Sequence, residues 1–151
     1  KANISSIAAA DGAALVQPYL PDILTGETSV VCIEGVPLVA VLKVPKEGDF
    51  RVQEEWGGTN IVVPLSPELK AASHVVLEAI PGIESPEKLT YARLDFVGVT
   101  SRERGVGAVD YLLMEAECVE PDLFIPICPE VAKAVAKAVA KAVKEKATED
   151  S

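Results

Sequence analysis

Three acidic side chains, Asp95, Glu115 and Glu117, sit inside otherwise apolar, strand-like runs, Thr90 to Val99 and Tyr111 to Val119. Alternate residues of a strand share a face, so Glu115 and Glu117 point the same way with Ala116 opposed. Asp95, on a neighbouring strand, can lie across from them. Carboxylates crowded on one face repel each other unless a cation or bound protons relieve them. Oxygen-only ligands, with room left for water and phosphate, suit Mg²⁺ and also Mn²⁺. From spacing alone, a metal centre and a plain solvated polar face are equally open. The metal reading requires Asp95 and the Glu115/Glu117 pair on adjacent antiparallel strands, facing one cleft.

A second group of residues lies in a long polar stretch, Pro45 to Thr59, which is too long for a simple turn. Loops of this size are usually functional or disordered, and Phe50, Val52 and Trp56 argue for an ordered one. Lys43, just before the loop, is most simply a solvated strand-end lysine. Trp56 is either a substrate cover or a loop anchor. His74, the only histidine, reads as a helix-surface or packing residue. Gly105-Val106-Gly107 reads as a turn, and the Lys133/Lys137/Lys141 stripe as a solvated helix face.

The elements that must position these residues are legible as an α+β pattern, ββ-loop-α-ββ-α, in a single domain spanning 1–151. Ala14 to Leu20 is strand-like but bounded by Pro18 and Pro21, which suits an edge or hinge segment. Thr28 to Glu34 and Pro37 to Val44 form a hairpin whose apolar character suggests cover on both faces. Pro67 to Ile80 is a helix, with Ser66 as its cap and Leu69, Ala72, Val76, Leu77 and Ile80 on its apolar face. Ala132 to Lys146 is a second helix of repeating A-V-A-K. The sheet is expected to be antiparallel, with both helices packed on one side. Lys1 to Ala14 reads as the remnant of a truncated upstream region.

Composition narrows the classes. The 151 residues are 49% hydrophobic and 25% charged, which is ordinary for a globular domain. A net charge of −9 argues against a nucleic-acid partner, which needs clustered Lys and Arg. No apolar run approaches the length of a membrane span, and no export signal is visible at Lys1. Cys32, Cys118 and Cys128 form no C-x-x-C pair, so a reducing, cytoplasmic setting is expected.

The run A-R-L-D-F-V-G containing Asp95, followed by L-L-M-E-A-E-C-V-E-P, resembles the metal signature of the ATP-grasp superfamily. Three more segments resemble glutathione synthetase in the same order. V-Q-P-Y-L-P resembles its interdomain hinge, the hairpin Val30 to Val44 resembles the strand pair after the hinge, and G-D-F-R-V-Q with W-G-G resembles the loop near the acyl phosphate. The resemblance covers Val16 to Phe124. It implies the C-terminal ATP-grasp subdomain of an ATP-dependent carboxylate–amine or carboxylate–thiol ligase, acting through an acyl phosphate. Gln17, Tyr19, Leu20, Glu27 and Lys43 would then contact ATP. Asp95, Glu115 and Glu117 would hold Mg²⁺, with Mn²⁺ as a substitute. Arg51 would be catalytic, stabilising the transferring charge, and Gln53, Gly57 and Gly58 would shape the acceptor pocket. Two departures stand out: Glu117 replaces the usual asparagine, and Ser29 replaces an arginine. The first ATP-grasp subdomain would come from an upstream segment or a separate chain. The alternative is a degenerate module without catalysis that serves binding or assembly.

Overall fold

A computed structural model of the chain describes residues 16–101, 103, 105 and 107–149. The segment expected to be an upstream remnant, 1–14, lies outside them, as does Val106 of the expected turn. Five strands form one antiparallel sheet: β1 (Glu27–Ile33), β2 (Val36–Val44), β3 (Thr59–Val63), β4 (Tyr91–Thr100) and β5 (Val109–Glu117). Their order across the sheet is β3-β2-β1-β4-β5. Two helices complete the fold, α1 (Pro67–Ala79) and α2 (Pro129–Glu149).

Local chemistry explains the elements. β1 and β2 are joined by Glu34 and Gly35, with φ of 47° and 77°. Positive φ at both central residues is the turn whose twist matches a two-residue hairpin. Ile33 therefore pairs directly with Val36. At the start of α1, Ser66 Oγ accepts a hydrogen bond from the Leu69 backbone N–H at 3.1 Å, and Pro67 occupies the first turn. Ser73, facing the core, bonds its hydroxyl to the Leu69 carbonyl at 2.8 Å.

The helices do not share a side of the sheet, which corrects the expectation of one-sided packing. Val30 and Cys32 point to one face, where α1 supplies Leu69 and Leu77 against Ala40, Ala92, Leu94 and Phe96. Val31 and Ile33 point to the other, where α2 supplies Val131 and Ala138 against Val39 and Val41. The physical reason lies in the strands themselves. β1 is apolar at consecutive positions, so each face needs its own cover, and one helix cannot provide both. The cysteines carry no disulfide. Burial pushes the Cys32 thiol up to about 12, so it acts as a small hydrophobe.

Two further elements depart from the sequence reading. Residues 16–20 form no strand, and a short 3-10 turn, Pro21–Thr25, follows them. β3, just beyond the long loop, was not anticipated, and its pairing with β2 makes it a sheet edge. A third, smaller cluster joins Ile23 of the turn, Val52 of the loop and Val97 of β4. Loop closure is tight at Gly58, where any Cβ would lie 2.1 Å from the Val52 carbonyl oxygen.

This packing predicts a contrast within α1. Leu77→Ala removes a side chain that is 1% exposed, and should cost about 2–5 kcal/mol in urea denaturation. Val75→Ala, at a position 68% exposed, should change stability by less than about 0.5 kcal/mol. Equal losses at both positions would contradict the assigned helix face.

Candidate functional site

The sheet register brings the expected acids together. Ser29 on β1 lies opposite Asp95 on β4, and Asp95 lies opposite Glu115 on β5. Glu27 lies opposite Lys43 on β2, and Arg93 opposite Glu117. By strand alternation, these residues share the face that α2 covers further along. A register shift between Asp95 and Phe96 places one extra residue on β5, beside Glu115.

The face carries an ion-pair network that is buried around Asp95, Lys43 and Arg93 and opens to solvent at Glu115. Asp95 is 1% exposed. Lys43 Nζ donates to its Oδ2 at 2.9 Å and also meets Glu27 Oε1 at 2.5 Å. Arg93 Nε donates to Asp95 Oδ1 at 3.1 Å, and Nη2 to Oδ2 at 3.1 Å. The same guanidinium reaches Glu117 at 2.6 Å and Glu115 at 3.5 Å. Burial alone would raise the Asp95 pKa. The Lys43 ammonium, the Ser29 hydroxyl and Arg93 outweigh it, and the carboxyl lies below its ordinary value. At Glu27 burial prevails over Lys43, so that carboxyl is raised. Arg93 is held still more firmly protonated by Asp95, Glu117 and Glu115, despite its own burial. Ser29 is fully buried opposite Asp95, where its hydroxyl helps keep that carboxylate ionised.

Arg93 is the residue that sequence reading missed. It stands two positions before Asp95, so the same alternation that paired the glutamates would have placed it on the acid face. Its guanidinium lies among the three acids. Among the described residues, no three Asp, Glu, His or Cys side chains converge closely enough to hold a metal by themselves.

The other expected site residues are more dispersed. Arg51 is clamped by Asp49, through Nε at 3.0 Å and Nη2 at 2.6 Å, and stacks 3.8 Å from the Trp56 ring centroid. That contact holds the Asp49 carboxyl well below the usual range. Gly57, with φ of 87°, and Gly58 close the loop, where the Gly58 N–H bonds the Gln53 carbonyl at 3.2 Å. Gln53 is exposed. Gln17 and Tyr19 are exposed, while Leu20 lines a cleft of about 690 Å³ with Asp22, Val99, Glu103, Asp110 and Leu112. None of Asp95, Glu115 and Glu117 lines that cleft. His74 is exposed, as expected for a helix-surface residue. Lys141 is not merely solvated, since it bonds Glu34 at 2.6 Å.

Comparison with known proteins decides the family. The profile described as "Prokaryotic glutathione synthetase, ATP-grasp domain" matches residues 3–99. The chain belongs to that family. It is 30% identical over 108 residues to a glutathione synthetase of Parasynechococcus marenigrum (strain WH8102), covering 67% of this chain and 34% of that protein. A glutathione synthetase of Prochlorococcus marinus (strain MIT 9313) is 41% identical over 44 residues, or 29% of this chain and 14% of that one. The chain thus spans about a third or less of the length of these relatives. Its fold is also that of the crystal structure of D-cycloserine synthetase DcsG. The TM-score is 0.62 at 23% identity, over 83% of this chain and 41% of that chain. No helix among the described residues is long and apolar enough to cross a membrane.

The Asp95 network has a testable pH signature. Asp95 is more acidic folded than unfolded, where its ordinary value is 3.8. Its ionisation therefore stabilises the fold above that value, and the contribution is lost as pH falls below it toward the folded pKa. Lys43→Met leaves the buried carboxylate with Arg93 alone. It should cost about 3 kcal/mol at neutral pH and move the acid loss of stability to higher pH. Urea midpoints measured from pH 7 to pH 2 check this, and an unshifted acid limb would show that Lys43 does not hold Asp95.

Proposed function

We propose that this ATP-grasp chain is the nucleotide- and metal-holding half of an ATP-dependent ligase that activates a small-molecule carboxylate as an acyl phosphate for capture by an amine or a thiol. One observation carries the reading: Glu27, Lys43, Asp95, Glu115 and Glu117 meet on one sheet face, in register on four strands. Such a reaction places four phosphate charges beside a carboxylate, and its catalysis is mostly positioning and charge neutralisation.

The donor chemistry, carboxylate oxygens, suits a hard divalent cation once these acids are released from Lys43 and Arg93, which now pair them. Asp95, Glu115 and Glu117 would hold Mg²⁺ or Mn²⁺, which would neutralise phosphate oxygens. Lys43 lies between Glu27 and Asp95, placed to offer its ammonium to a phosphate at the same face. Arg51 would meet the transferring group after release from Asp49, an exchange of one carboxylate partner for another anion. Gln53, Gly57 and Gly58 would border the acceptor, and Gln17, Tyr19 and Leu20 the adenine. Lysine-bearing residues of the other ATP-grasp half would complete the nucleotide clamp, either from the same polypeptide or from a separate chain. A cytoplasmic setting suits a ligase that draws on ATP. Ser29, in place of an arginine, favours a second reading, a related module that binds without catalysis.

Thermal melts at constant ionic strength test the metal centre, so that screening is not mistaken for binding. At a concentration of Mg²⁺ about tenfold above its Kd, the melting temperature should rise by roughly 3–6 °C. Asp95→Asn combined with Glu115→Gln should remove that rise, while Glu117→Asn should keep part of it. An identical metal response in wild type and the double variant would reduce the acid set to a polar face.

A further inference from the structure

The long loop after β2 carries a cation whose partner is open to exchange. Arg51 donates to Asp49 through Nε at 3.0 Å and Nη2 at 2.6 Å, and its guanidinium lies 3.8 Å from the centroid of the Trp56 ring. The side chains of this pair are 40% and 21% exposed, so water screens their attraction. Lys43 and Arg93 differ. Their side chains are 11% and 12% exposed, and both are bound to the buried Asp95.

The backbone beneath Arg51 is fixed, so the side chain can move alone. Val52 is buried against Ile23 and Val97. Asp49 Oδ1 accepts from the backbone N–H groups of Phe50 and Arg51, at 2.8 and 3.0 Å, which holds the turn. One oxygen thus shapes the loop, while Oδ2 makes the shortest contact to the guanidinium. Arg51 keeps the Asp49 carboxyl well below its usual range, so it is ionised at neutral pH. A full negative charge therefore occupies the Nε/Nη2 edge, one that a phosphate could take with two oxygens.

Resting on the ligase reading above, we infer that Asp49 is a placeholder anion, which parks Arg51 against Trp56 until a phosphoryl oxyanion takes the guanidinium from it. A phosphate brings more charge and more acceptor oxygens than one carboxylate, which favours the exchange. A free carboxylate offers only what the tethered Asp49 already supplies. Asp49 is then a selectivity device: Arg51 ignores the unactivated carboxylate and answers to its acyl phosphate.

Trp56 is the only tryptophan in the chain, so its emission reports the departure of the guanidinium from its face. The whole chain is titrated with acetyl phosphate and separately with acetate, ionic strength being held with chloride. Wild type should respond to acetyl phosphate and not to acetate over the same range. Asp49→Asn keeps Oδ1 for the turn but loses the charge. It should bind acetyl phosphate at least about threefold more tightly and gain a response to acetate. Glu55→Gln removes another charge that favours the Arg51 cation, outside the Asp49 contact, and should shift the affinity by less than about 1.5-fold. Arg51→Met should respond to neither anion. If Arg51→Met is silent but Asp49→Asn binds no more tightly than wild type, or no more tightly than Glu55→Gln, the inference is overturned and Arg51 remains an oxyanion contact. If wild type and Asp49→Asn give no response, or Arg51→Met responds as wild type does, Arg51 leaves the proposed chemistry altogether.

Discussion

A carboxylate in the middle of the sheet organises this molecule. Asp95 is almost completely removed from water, and an isolated ionised carboxylate there would cost several kcal/mol. Its charge survives because Lys43 from β2 and Arg93 from its own strand satisfy both oxygens. The two cations are in turn occupied by Glu27, Glu115 and Glu117. One buried charge thus recruits side chains from four strands. Each strand must keep its register for the network to close, because a one-residue slip would carry an ion to the wrong face.

The two faces divide the work of the fold between them. The α1 face is dry and apolar from Val30 to Phe96, and supplies ordinary hydrophobic stabilisation. The opposite face is apolar only where α2 covers it, around Val31, Val39 and Val41. Beyond that cover the same strands carry Ser29, Lys43, Asp95 and Arg93. The sheet therefore changes character along its length on one side only. The charged groups sit at the margin of a core rather than on a loose loop, which holds them more precisely than loop positions would.

Much of this was legible in the chain because period-2 alternation is a strong signal. It placed Glu115 and Glu117 together with Asp95 across from them, and the capping chemistry of Ser66 and Pro67 marked α1 within a residue at each end. Arg93 was missed through attention to acids alone, although the alternation rule covered it equally. β3 was hidden because Thr59–Val63 is short, follows a glycine pair and leaves Ile61 and Val62 half exposed, so it shows no clear alternation. The side of the sheet on which each helix lands could not be read. It depends on the paths of the connections, not on the pattern within either helix. The clamp on Arg51 was illegible for a similar reason, since Asp49 and Trp56 meet it only through the loop's closure.

The small cluster of Ile23, Val52 and Val97 has a kinetic meaning. It fastens the segment before β1 and the long loop after β2 to one shared spot on β4, with Met114 and Val99 beside it. Neither segment can lift without uncovering the other's only fully buried apolar anchor. The Pro21–Thr25 turn and the Val52 region are therefore coupled through shared burial, the kind of contact that ties segments into one opening unit.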